Sequence, residues 1–138
     1  MFRPLYTALP IALILLLSST LYSQVERRVV FAKGKTSATV RGTLPRNYAD
    51  YDAYIVRARK GQTLSVKLVT NDPNAYITVY ETKELGPDED LISAGEDFRR
   101  AWSGKLPITS EYSVQVYGAR SIDDRSTRAA YSLEISIK

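Results

Sequence analysis

Tyr131-Ser132-Leu133-Glu134-Ile135-Ser136-Ile137, at the end of the chain, alternates apolar and polar residues without a break. Successive side chains of an extended strand point to opposite faces, so Leu133, Ile135 and Ile137 face one way and Ser132, Glu134 and Ser136 the other. Working back, Gln62-Thr63-Leu64-Ser65-Val66-Lys67-Leu68 and Tyr112-Ser113-Val114-Gln115-Val116 have the same period. Shorter versions occupy Val29–Ala32, Ala38–Leu44, Tyr54–Ala58, Ala75–Tyr80 and Ala101–Leu106. Turn residues separate them at Lys33-Gly34-Lys35, Pro45-Arg46-Asn47, Lys60-Gly61, Asn71-Asp72-Pro73-Asn74 and Gly86-Pro87-Asp88. About eight short strands with no helical period between them predict an all-β fold, an antiparallel β-sandwich.

The expected core is Val40, Leu64, Val66, Leu68, Ile77, Val79, Trp102, Leu106, Tyr112, Val114, Val116, Leu133, Ile135 and Ile137. Trp102 and Leu106 share a parity, which turns Ser103 and Lys105 away from the core. Tyr117 shares the parity of Ser113 and Gln115 and is expected on an outer face as well.

Residues 1–23 read differently. Arg3 is followed by an apolar run from Thr7 to Leu17 and then by Ser18-Ser19-Thr20 and Ser23. Charge, apolar run and small residues in that order make a secretory signal peptide. The run falls short of the about 20 residues that span a bilayer. Cleavage after Ser23 predicts one mature domain, residues 24–138, exported to the periplasm or secreted, with no membrane attachment. Losing Arg3 takes the net charge of +4 to +3. That is mild, and the cations are scattered among acids, so a nucleic-acid interface is not expected.

The chain contains no histidine and no cysteine. It can hold no Ser–His–Asp triad, no thiol nucleophile, no zinc–thiolate site and no disulfide. Paired carboxylates are the remaining catalytic option: Asp50 with Asp52, and Asp88, Glu89 and Asp90 in one loop. No third polar group at fixed spacing accompanies them, and the acidic loop lacks the D-x-D-x-D-G spacing of a calcium site. They read as solvated turn residues. No metal and no cofactor is expected, and the chain is not expected to be an enzyme.

Recognition residues are better supplied. Tyr48, Tyr51 and Tyr54 fall in one segment beside Arg46. Tyrosine and arginine are enriched where proteins bind proteins; Tyr54 is expected in the core, while Tyr48 and Tyr51 fit a recognition surface and a sandwich core position equally. Gly118–Ala129 carries three arginines and two aspartates between two strands. A charged loop of that length on a rigid sheet serves either as a partner-binding element or as a solvated connection.

These segments resemble the bacterial inhibitors of goose-type (g-type) lysozyme, a periplasmic β-sandwich family related to the inhibitors of invertebrate-type lysozyme. Arg28–Gly42 is similar to that family's first two strands, and Tyr51-Asp52-Ala53-Tyr54 with Ala58-Arg59-Lys60-Gly61-Gln62 to its next pair. The most specific part is Ser103-Gly104-Lys105-Leu106-Pro107, then Tyr112–Tyr117, Arg120 and Ala130–Ile137. The S-G-x-L-P piece occurs also in pre-peptidase C-terminal domains, β-sandwich modules of secreted enzymes. Where a Gly-containing turn is usual, this chain has Ile108-Thr109-Ser110-Glu111.

The resemblance implies inhibition of a lysozyme by surface loops inserted into its substrate cleft. A muramidase cleft is lined with carboxylates, so an offered cation meets charge in a partly desolvated groove. On that reading Arg120 is the principal charge contact, supported by Lys105. Ser103 and Gly104 form a close-approach polar bend, and Tyr48, Tyr51 and Tyr117 an aromatic rim. Ser103, Lys105, Tyr117 and Arg120 are expected on one outer face or its adjoining loop. The second reading is a secreted adhesion or carbohydrate-binding module whose tyrosines stack on sugars. Open sheet edges would also permit a homodimer.

Overall fold

The computed structural model describes residues 26–45, 50–82, 90–92, 99–118 and 129–138. The expected signal peptide, Tyr48, Arg120, Asp88 and Glu89 lie outside them. The described strands are β1 (Glu26–Arg28), β2 (Ser37–Thr43), β3 (Tyr51–Ala58), β4 (Thr63–Thr70), β5 (Ala75–Glu81), β6 (Asp90–Ile92), β7 (Ala101–Lys105), β8 (Ser110–Gly118) and β9 (Ala130–Ile137). They form a five-stranded sheet in the order β1-β3-β8-β5-β6 and a four-stranded sheet in the order β2-β9-β4-β7. Every pairing is antiparallel except that of β1 with β3.

The alternating segments became strands for the reason that singled them out. Leu64, Val66 and Leu68 from β4, and Leu133, Ile135 and Ile137 from β9, meet Tyr112, Val114 and Val116 from β8 and Ile77 and Val79 from β5 in one core cluster. Val40 and Trp102 pack against it from its margin. Burying one such side chain contributes about 1.5–3 kcal/mol, and with no disulfide this burial is what holds the two sheets together.

Two segments differ from expectation. Val29–Ala32 is not a strand; the edge strand lies earlier, at β1. Val29 N still donates to Ile55 O at 2.9 Å, and then the chain leaves the sheet, with Val30 82% exposed. At an edge, one partner strand sets where pairing stops, and alternation alone does not show it. The short β6 lies in a stretch too acidic to read as a strand.

The chain changes sheets between β7 and β8, and that crossover decides where the candidate residues end up. Leu106 is buried at the start of the connection. The Tyr112 hydroxyl donates to Ile108 O at 2.6 Å, a tyrosine at a strand start tying down the backbone upstream of it. Thr109 Oγ1 accepts from Lys60 N at 2.9 Å. These bonds hold Ile108-Thr109-Ser110-Glu111 in place without a glycine.

Candidate functional site

Three tyrosines stand in one row across the five-stranded sheet. Tyr51 of β3 and Tyr76 of β5 both lie directly opposite Tyr117 of β8. All three carry the parity of the face turned away from the core, because Asp52, Val116 and Ile77 beside them point inward. Tyr76 stacks on Tyr117 with ring centroids 4.9 Å apart and planes 2° from parallel. Tyr51 leans against the other side of Tyr117 at 5.1 Å. The Tyr117 hydroxyl donates to Gln115 Oε1 at 2.7 Å. Burial, together with the neighbouring Tyr80, Tyr51 and Tyr76, pushes the Tyr117 phenol well above its ordinary range, so Tyr117 at the centre of the row is uncharged at neutral pH.

The row sits at one end of the sandwich. The β2–β3, β4–β5 and β8–β9 connections all belong to this end: Thr43 pairs with Ala130, Thr70 with Tyr131, and Ala75 with Gly118. Leu44 N donates to Ala129 O at 2.9 Å, tying two of the connections together. Gly118 is packed so closely that a Cβ there would lie 3.2 Å from Leu44 Cβ and from Pro45 O.

Beneath the row, between the sheets, lies a chain of three polar groups. The Tyr131 hydroxyl donates to Asp52 Oδ2 at 2.6 Å and lies 2.6 Å from the Tyr54 hydroxyl. Because Tyr131 spends its only proton on Asp52, Tyr54 is the donor to Tyr131. Asp52 is therefore a brace between the sheets, and Tyr54 a core residue with its hydroxyl paired. Burial is the largest cause raising the phenol pKa of both tyrosines. Among the described residues no group of three His, Cys, Asp or Glu could hold a metal ion.

Ser103, Gly104 and Lys105 do not share the face of Tyr117. They lie on β7, at the edge of the other sheet. Ser103 and Lys105 do point outward, and the Ser103 hydroxyl meets that of Ser65 at 2.8 Å. Yet this outer face is the opposite side of the sandwich. Lys105 also pairs with Thr63, where β4 begins, far from the loops after Gly118. Gly104 is no bend: it lies within β7 opposite Leu64, and a Cβ there would collide with the indole of Trp102. The single outer face expected for these residues fails because parity separates inside from outside and says nothing about which sheet a strand joins. Tyr76 was missed. Its alternation with Ile77 in Ala75–Tyr80 carried the signal, but only the β5–β8 register brings it to Tyr117.

No family model matches the chain. It is 27% identical over 133 residues to an inhibitor of g-type lysozyme from Escherichia coli (strain K12), covering 93% of each chain. The crystal structure of Aeromonas hydrophila PliG, a periplasmic inhibitor of g-type lysozyme, superposes with a TM-score of 0.66. That protein is 30% identical, and the match covers 83% of this chain and 96% of the other. The pre-peptidase C-terminal domain of a Bacillus anthracis collagenase shares the fold, with a TM-score of 0.54 and 12% identity over 84% of this chain and 97% of its own.

Proposed function

We propose, from the premise that this chain belongs to the family of periplasmic inhibitors of g-type lysozyme, that it enters the substrate cleft of such a lysozyme with the loop end of its sandwich. The protein is a periplasmic lysozyme inhibitor and not an enzyme. One observation supports the placement: the Tyr51–Tyr117–Tyr76 row stands at the end where segments 46–49 and 119–128 connect the strands. Tyr48 and Arg120 belong to those segments.

Physical chemistry assigns the roles. A packed tyrosine row offers apolar area and little rotamer entropy left to lose, which suits a contact that must exclude water. The Arg120 guanidinium would meet the cleft's carboxylates as a charge-assisted, forked donor. Ser103, Gly104 and Lys105, on the far sheet, fall outside such a contact. Residues 1–23 act as the export signal.

Inhibition by the periplasmically purified protein, measured against goose-, chicken- and invertebrate-type lysozymes, tests this. The goose-type enzyme should be inhibited most, and inhibition of none would overturn the reading. Arg120→Ala should weaken inhibition about 10-fold or more, which is ~1.4 kcal/mol, while the thermal midpoint stays in place. Equal potency of that variant would remove Arg120 from the contact. The reading extends to a homodimer through the open edge of β2, which a monomeric sedimentation profile would exclude.

A further inference from the structure

Within the tyrosine row the three rings are not equivalent. Tyr117 stands in the middle, with Tyr76 stacked on one side at 4.9 Å and Tyr51 leaning on the other at 5.1 Å. Planes 2° from parallel at that separation are offset rather than face to face, one of the arrangements that aromatic pairs favour. The Tyr117 hydroxyl is committed as well, since it donates to Gln115 Oε1 at 2.7 Å. That oxygen also accepts from Thr78 Oγ1 at 3.4 Å, and Thr78 is fully buried. Both faces and the polar tip of Tyr117 are thus engaged within the protein.

Tyr76 is placed differently. It is the second residue of β5, just past the β4–β5 connection, and its side chain stays partly exposed. The backbone beneath it is pinned from both sides. Tyr117 pairs with it on the β8 side, and across the other edge Ile77 N donates to Arg99 O at 2.9 Å. The connection before it is tied down too. Asn74 N donates to Asp72 Oδ1 at 2.9 Å, and the Arg100 guanidinium donates to Thr70 O and Asp72 O. A ring on so fixed a base, with one face already stacked, has little freedom left to lose when a partner covers the rest of it. Tyrosines held in this way are the residues on which binding energy concentrates.

We infer that Tyr76 is a contact residue for the lysozyme, and that Tyr117 is a positioning residue that holds Tyr76 in its bound orientation. The inference rests on the reading that the loop end of the sandwich is the inhibitory end, and it assigns separate tasks to two rings of the row. Tyr76 offers aromatic area rather than charge. Charge steers association, whereas packed area resists dissociation, so losing the Tyr76 ring acts on the dissociation rate.

The test measures inhibition of goose-type lysozyme, and its binding kinetics by surface plasmon resonance, with the periplasmically purified protein and its variants. Tyr76→Ala should weaken inhibition about 10-fold or more through faster dissociation, with the thermal midpoint in place. Tyr76→Phe, which keeps the ring, should stay within about twofold of the parent. Tyr117→Ala should weaken inhibition as well, and its cost should be at least about threefold smaller in the Tyr76→Ala background than in the parent. Equal costs in the two backgrounds would make Tyr117 an independent contact and refute its positioning role. Equal potency of Tyr76→Ala where Arg120→Ala loses potency would overturn this inference alone. Equal potency of both variants would overturn the loop-end reading along with it. Should Tyr76→Ala fail to fold, Tyr76→Thr, which removes the ring and keeps a strand-favouring side chain, decides the same question.

Discussion

Tyr131 shows how one hydroxyl can organise the end of a sandwich. Its ring lies edge-on to that of Tyr54, with centroids 6.5 Å apart, and its oxygen links Asp52 to Tyr54. The ring fills the space a side chain on Gly42 would need, since a Cβ there would come 2.5 Å from the Tyr131 hydroxyl oxygen. Removing that hydroxyl leaves a buried donor on Tyr54 without its acceptor and takes a donor from Asp52. Tyr131→Phe should therefore destabilise the protein by about 1–3 kcal/mol, read as a lower urea midpoint with an unchanged slope. A variant as stable as the parent would mean that Asp52 and Tyr54 find other partners. Asp52 also shows a limit of reading side chains singly. As one of two nearby carboxylates it suggests acid–base chemistry, and only its inward direction and its phenol partner reveal a brace.

At the scale of elements, the crossover between β7 and β8 governs most. Leu106 N donates to Gln62 O and Gly61 N to Leu106 O, so the crossover begins bonded to the β3–β4 turn. It ends under the Tyr112 hydroxyl on Ile108 O. Tyr112→Phe keeps the buried ring and loses only that clamp, which predicts a destabilisation of about 1–2 kcal/mol in urea unfolding. An unaltered midpoint would assign the crossover's geometry to Leu106 and Thr109 alone. The strands themselves were legible: alternation marked seven of the nine described strands to within about three residues at each end. The three-residue β1 and β6 were not, because a strand that short holds too few alternations to set a period.

At the scale of the whole molecule, five tyrosines among the described residues share one electrostatic property. Burial raises the phenol pKa of Tyr54, Tyr76, Tyr112, Tyr117 and Tyr131 above the ordinary value. A native pKa above the unfolded one means that the unfolded chain releases these protons first. The stability they contribute is complete below pH ~10 and is lost as the pH climbs beyond it. The urea midpoint should thus hold level from neutral pH to about 9.5 and then fall, with tyrosinate absorbance rising together with the loss of β-structure. Tyrosinate formation well ahead of unfolding would show that these phenols reach water in the native state. The arrangement suits an exported protein without disulfides: a phenol caps the core at each end, Tyr131 below the loops and Tyr112 at the crossover.

The sequence by itself determined the all-β class, the inward or outward direction of nearly every strand residue, the absence of any histidine- or cysteine-based chemistry, and the family. These are local or compositional properties, since alternation follows from backbone geometry within a single strand. Only the tertiary structure decided which residues meet. Tyr51, Tyr76 and Tyr117 come from three distant segments and share a row because β3 and β5 flank β8, while Ser103 and Lys105 share the parity of Tyr117 and face the opposite way. Strand order is set by which apolar faces bury best against one another over long separations in the chain, and no period within one strand encodes that choice.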